Sequence, residues 1–211
     1  MFNDKAFNYL FLRQTLGGLG IALPFLVILA GLLGDNHPQW WWSISATYYT
    51  NAGTIFSLVM GAVAFFLFSY RMYSKLDWYV NKLAGVFALL IILFPCYTVH
   101  YTHVGVFNVP IEISSRIHNT SAVIFFCLLA FNIFFLFTRG SGNPTPEKKK
   151  RNRFYRICGI GILIFMTSQV FFYMSAISGP YTMINEAGML ICFGIAWLVK
   201  GQAILKDKRE T

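Results

Sequence analysis

Six stretches of the chain are almost continuously apolar, approximately residues 14–34, 52–70, 82–99, 118–138, 155–177 and 183–204, and polar residues gather between them. A helix needs about 20 mostly apolar residues to cross a hydrocarbon core of roughly 30 Å, and each stretch approaches that length. The pattern predicts an all-α integral membrane protein, a single domain over residues 1–211 built as an up-and-down bundle of six transmembrane helices. Short connections favour antiparallel neighbours. Pro24 and Pro95 each remove an internal hydrogen bond, so a kink or a local break is expected in the first and third spans. Gly17, Gly18, Gly20, Gly61, Gly159, Gly161, Gly188 and Gly194 mark faces where helices approach closely, and such faces also leave room for a homo-oligomer. Gln169, polar and deep in the fifth span, calls for an interhelical hydrogen bond.

Composition strengthens this picture: 56% of the 211 residues are hydrophobic and only 12% are charged, against about 25% charged in an average soluble domain. The first residues lack a basic region followed by an apolar stretch and a small-residue cleavage site, so insertion is expected to use the first span. Cys96, Cys127, Cys158 and Cys192 lie in apolar runs without pairing or metal-binding spacing and read as small core residues.

Charge then sets the expected orientation. Sixteen of the seventeen Lys and Arg residues fall in the N-terminal arm, the second and fourth loops and the C-terminal tail, all of which a six-span bundle places on one side. Basic residues are retained in the cytoplasm during insertion, so both termini are expected there, most simply across a bacterial inner membrane. The net charge of +9 is therefore an orientation signal, and nucleic-acid binding is excluded at this hydrophobicity. The basic fourth loop, Lys148, Lys149, Lys150, Arg151, Arg153 and Arg156, also suits anionic lipid headgroups.

With that orientation the polar residues capable of chemistry collect at the outer face: Asp35, His37, Ser43, Ser45, Tyr48, Tyr49, His100, His103, Glu112, Arg116, His118 and Glu186. Arg116 breaks the charge pattern and calls for a partner, Glu112 or Glu186, or a bound anion. His100 and His103 share a helix face if the third helix continues past Pro95, and with His118 and Glu186 they would offer zinc an imidazole and carboxylate site. Ser43 or Ser45 would serve as a nucleophile with His118 as its base. Trp40, Trp41 and Trp42 suit the interfacial belt, with Tyr48 and Tyr49 at headgroup level.

The run Ser43-Ile44-Ser45, His118 opening the fourth span and Glu186 opening the sixth resemble the six-helix family that includes the DRAM autophagy modulators, the GPI-anchor lipid-remodelling proteins and bacterial relatives. The loop arrangement agrees over nearly the whole chain; Ala46 stands where an acidic residue often follows the Ile-Ser pair, and the fourth loop is longer. The resemblance implies a role toward lipids of the outer leaflet, with Ser43, Ser45, His118 and Glu186 around one pocket. Three functions are expected to compete: binding or modification of a lipid or lipid-linked substrate, with membrane lipids as partners; a non-catalytic sensor, assembly subunit or effector acting through the basic loop; and an ion or proton pathway using the histidines.

Overall fold

The structure, a computed structural model, describes residues 4–34, 42–70, 74–140, 143–175 and 179–206. Asp35, His37, Trp40, Trp41 and Arg71 lie outside the described residues. Six helices carry the fold: α1 (Asp4–Gly34), α2 (Gly53–Ser69), α3 (Lys75–Leu93), α4 (Ile111–Phe131), α5 (Pro146–Met174) and α6 (Tyr181–Lys200). A 3-10 turn, Ser45–Tyr49, precedes α2, and a short antiparallel hairpin pairs β1 (His103–Val104) with β2 (Val109–Pro110) ahead of α4. A π-helical turn, Asn132–Leu136, extends α4, its Phe137 amide reaching back to the Asn132 carbonyl at 2.9 Å.

The chain is all-α apart from that hairpin. Five helices, Tyr9–Gly34, Lys75–Leu93, Ile111–Leu136, Pro146–Met174 and Tyr181–Lys200, are long and apolar enough to cross a membrane, and Gly53–Ser69 is a shorter apolar helix. The outward faces carry Leu58, Phe65, Ile164 and Phe171, each more than half exposed. Lipid, rather than water, suits such a surface, because the backbone polar groups of every helix are satisfied internally. A multi-pass integral membrane protein follows from these helices.

The six helices close into a ring in chain order, each packed on the next and α6 returning against α1. Contacts show that neighbours run antiparallel. Asn132 Nδ2 donates to Asn81 Oδ1 (2.8 Å) while His118 meets Ile91, so α4 descends as α3 rises. Gln14 bonds the Gly201 carbonyl (2.9 Å), and a side chain at Gly20 would strike Phe193, so α1 and α6 oppose each other. α6 is the most enclosed helix and α5 the most peripheral. Gln169 makes the expected interhelical contacts, donating to Thr182 Oγ1 (2.9 Å) and accepting from Asn185 Nδ2 (3.2 Å).

Element boundaries depart from the hydropathy pattern where local chemistry overrides it. α3 starts at Lys75 because Ser74 accepts the Asp77 amide as an N-cap (3.2 Å). It ends at Leu93, two residues before Pro95. Of the two outcomes expected at Pro95 the break holds: the third helix ends there and does not run on to residue 99, and His100 and His103 lie on the following loop and on β1, not on one helix face. α5 starts at Pro146, capped by Thr145 Oγ1 accepting the Lys148 amide (3.2 Å), with proline in its favoured first-turn place. The basic run is thus the N-terminal part of a helix and not a loop. At 29 residues and 1.5 Å per residue α5 is about 43 Å long, so its charged turns clear the hydrocarbon. α1 runs without interruption through Pro24.

Two of the small residues show how selective close packing is. A methyl group on Gly17 would stand 2.7 Å from the Gly194 carbonyl oxygen, whereas one on Gly18 would meet nothing within 4 Å. Gly61 is equally open, so the close-approach expectation holds at Gly17, Gly20, Gly159, Gly161, Gly188 and Gly194 and fails at Gly18 and Gly61. Gly17→Ala is expected to destabilise the bundle by about 1–3 kcal/mol, because two backbones must separate. Gly18→Ala is expected to be neutral or stabilising by up to about 1 kcal/mol through helix propensity. Thermal melts of the two variants in one detergent check the contrast, and equal shifts would contradict it.

Candidate functional site

The segment between α1 and α2 crosses the end of α6, and a single carboxylate holds it there. Glu186, in the second turn of α6, accepts from Ser43 Oγ (2.9 Å) and the Ile44 amide (2.6 Å) on Oε2, and from Ser45 Oγ (3.1 Å) on Oε1. The Ser45 amide adds a longer contact to Oε2 at 3.4 Å. A carboxyl group has about four acceptor positions, and this loop turns two amides, which can only donate, and two hydroxyls on it. The Met183 amide, one turn earlier, donates to the Trp42 carbonyl (2.9 Å). Within the loop Ser43 Oγ also accepts the Ala46 amide (3.3 Å), and buried Thr47 donates to the Ile44 carbonyl (2.5 Å), which tightens the chain into its 3-10 turn.

Beside this node, the break at Pro95 leaves three successive carbonyls that need donors. Phe94 O meets His118 Nδ1 at 2.9 Å, Pro95 O accepts from Ser114 Oγ at 2.8 Å, and Cys96 O accepts from the Tyr49 hydroxyl at 2.7 Å. His118 Nδ1 also lies 3.0 Å from the Ile91 carbonyl. Carbonyls only accept, so Nδ1 carries a hydrogen, and in the neutral form of the ring the lone pair is on Nε2. His118 is 3% exposed and shares the buried face of α4 with Ser114 and Ser121.

A small cavity of about 30 Å³ lies beside Ser45 and Glu186, among apolar side chains that include Leu23, Phe56, Met60, Ala122 and Phe125. Its lining is apolar except at the Ser45 and Glu186 end. Ala122 lies one helical turn beyond His118 on α4. The arrangement therefore sets the polar Ser45 and Glu186 against a small apolar cavity walled by α1, α2, α3, α4 and α6.

Ser43, Ser45 and Glu186 come together as the sequence suggests, but the expected chemistry is redistributed. Both serine hydroxyls are hydrogen-bonded to Glu186, and His118 is engaged by backbone carbonyls. A proton leaving either serine therefore has Glu186 as its nearest acceptor, not His118. Glu112 and Arg116 occupy the exposed face of α4, opposite His118, with no ion pair between Arg116 and Glu112 or Glu186 among the described residues. His100 and His103 are exposed, His103 Nδ1 lying 3.3 Å from Thr102 Oγ1. Among the described residues no three His, Cys, Asp or Glu side chains gather to hold a metal ion, so His100, His103, His118 and Glu186 do not form the zinc site. Helix termination at Leu93 is the reason.

Tyr48 and Tyr49 meet edge to face at 5.2 Å, and Tyr49 stacks on Tyr101 at 5.9 Å, forming an aromatic rim beside the node. Burial, with Cys96, Tyr48 and Tyr101 beside it, pushes the Tyr49 phenol up, so it stays a hydrogen-bond donor. Cys96 is the member the sequence did not announce. Burial first, and then the Glu186 charge nearby, push its thiol up to about 12. It remains a thiol at neutral pH. Its only sequence signal is its place after Pro95.

The basic residues divide by position. Lys149, Lys150, Arg153 and Arg156 are exposed, whereas Lys148 donates to the Phe137 carbonyl (2.9 Å) and Arg151 to the Leu205 carbonyl (3.4 Å). Comparison with family models, with curated proteins and with solved structures found no match for this chain.

Proposed function

We propose that the chain spans the membrane six times with both termini and the basic end of α5 in the cytoplasm, and that the Ser43, Ser45 and Glu186 node faces outward to receive a lipid or lipid-linked substrate. One observation carries this reading: the polar Ser45 and Glu186 border an otherwise apolar cavity inside the bundle, the same order of chemistry as headgroup and acyl chain. Hydroxyl or amine groups of a headgroup would replace loop donors on Glu186, which is built to accept. The aromatic rim of Tyr48, Tyr49 and Tyr101 supports the headgroup level, and exposed Arg116 suits a neighbouring phosphate. The resemblance of Ser43-Ile44-Ser45, His118 and Glu186 to the lipid-remodelling six-helix family points the same way.

At its present size the cavity accepts a water-sized body and not a chain. Loading therefore requires flexible side chains such as Met60 to move. Native mass spectrometry of the protein in mild detergent is expected to show a co-purifying lipid. Ala122→Leu, which fills the cavity, is expected to shed it while the variant still melts cooperatively. A ligand-free wild type, or a lipid that Ala122→Leu retains, would count against the pocket.

A further inference from the structure

α3 stops short of the membrane boundary that its neighbour α4 reaches. Beyond Lys82, its last charged residue, α3 runs only from Leu83 to Leu93, about 16 Å at 1.5 Å per residue. Lys82 marks the other boundary, its ammonium turned back over the Trp78 ring at 5.7 Å from the centroid. From Asn132, which pairs with Asn81 beside Lys82, α4 extends to Ile111, about 31 Å away and so about the thickness of a hydrocarbon core. His118, which meets the end of α3, lies about 10 Å below Ile111. The connection from Phe94 to Pro110 spans that depth, and its hairpin folds back down onto α3. Gly105 takes a φ of 74° that favours glycine, and a Cβ there would stand 2.6 Å from the Leu93 carbonyl oxygen. The Phe107 ring stacks on Phe94, their centroids 5.4 Å apart.

Backbone at that depth must satisfy its polar groups with little water. Here the Ile111 amide donates to the Thr102 carbonyl (2.9 Å) and the Asn108 amide to the Gly105 carbonyl (3.2 Å). The carbonyls of Phe94, Pro95 and Cys96 take side-chain donors. The exposed side chains match the place. Val106 is 73% exposed, Phe107 58% and Val99 76%, and exposed Tyr97 and Tyr101 alternate along the chain with Thr98, His100 and Thr102. We propose that the segment from Tyr97 to Val109 lies in the boundary between acyl chains and headgroups at the Glu186 end of the bundle, with Val99, Val106 and Phe107 among the acyl chains. Its partner is the phospholipid bilayer, which also covers the exposed stripe of Leu83, Val86 and Leu89 on α3. The inference needs no ligand in the cavity beside Ser45. Through Tyr101, stacked on Tyr49, the segment abuts the loop that Glu186 holds.

Tryptophan fluorescence of the full-length protein in phosphatidylcholine nanodiscs tests this, read as the emission that each variant adds to the wild type. Val106→Trp and Val99→Trp alter exposed positions and are expected to melt as the wild type does. Most of their added emission is expected to be lost with phosphatidylcholine brominated high on its acyl chains, and little of it with aqueous iodide. Lys149→Trp, on the exposed basic part of α5, is the water-facing control and is expected to show the reverse. Iodide quenching as strong as the control's at either valine position, without loss to the brominated lipid, overturns the proposal. So does emission that neither quencher reaches, which would mean that protein, and not lipid, covers the segment.

Discussion

Glu186→Ala is expected to cost about 3–5 kcal/mol of stability, the largest loss from any single polar substitution in the bundle. The substitution leaves the hydroxyls of Ser43 and Ser45 and the amides of Ile44 and Ser45 without their acceptor. Hydrogen bonds to a charged group contribute about 1.5–3 kcal/mol each, and water entering there recovers part of the sum. Glu186→Gln is expected to lose about half as much, because its amide oxygen still accepts while its NH₂ group faces donors. The loop should loosen before the helices do. Hydrogen exchange at the amides of Ile44 to Tyr49 is therefore expected to accelerate in both variants, with α3 and α4 unchanged. An Ala variant that melts like the wild type would show that the loop is held by something other than this carboxylate.

Hydropathy and charge made the helices legible, because apolar length needs no knowledge of partners. What they missed was set by single residues at helix ends. Ser74 and Thr145 start α3 and α5 well before the apolar runs begin, since a cap and a favourable first turn outweigh the polarity of Lys75 or Lys148. The Ser-x-x-Asp pattern at Ser74 to Asp77 was present in the chain, as was Thr145-Pro146-Glu147, but a hydropathy window averages such signals away. Pro95 was visible as a kink or a break, yet the apolar run carried the span on to residue 99. A kink would have kept His100 and His103 on a helix, whereas a stop exposes them and leaves carbonyls for Ser114, His118 and Tyr49.

The candidate site was legible as a set of residues and not as a mechanism. Ser43, Ser45 and Glu186 converge because the segment before α2 crosses the end of α6, with α1 between the two helices in the ring, and it was the family resemblance that implied their meeting. Which of them pairs with which depends on side-chain reach, and the sequence carries no sign that Glu186 rather than His118 takes both hydroxyls. Cys96 and the buried pair Asn81 and Asn132 were unmarked for the same reason. Their surroundings come from helices distant in sequence.

His118 separates a strut from a proton-transfer group. His118→Ala is expected to lose about 2–4 kcal/mol, since it strips the donor from the Ile91 and Phe94 carbonyls and opens a cavity in a buried face. His118→Asn places an amide N–H near the position of Nδ1 and is expected to recover most of that loss, melting within about 1 kcal/mol of the wild type. Asparagine has no lone pair at the position of Nε2 and cannot take up a proton there. On the proposed lipid function, retention by the same Asn preparation, and turnover where the wild type shows it, then reports on the loss of Nε2. A fall of about 100-fold or more in turnover, with the fold intact, would assign His118 to acid-base chemistry beside Glu186. Unchanged turnover or retention in a well-folded Asn variant would confine His118 to capping the broken end of α3. Any proton transfer there would then rest with Glu186, the group to which both serine hydroxyls already donate.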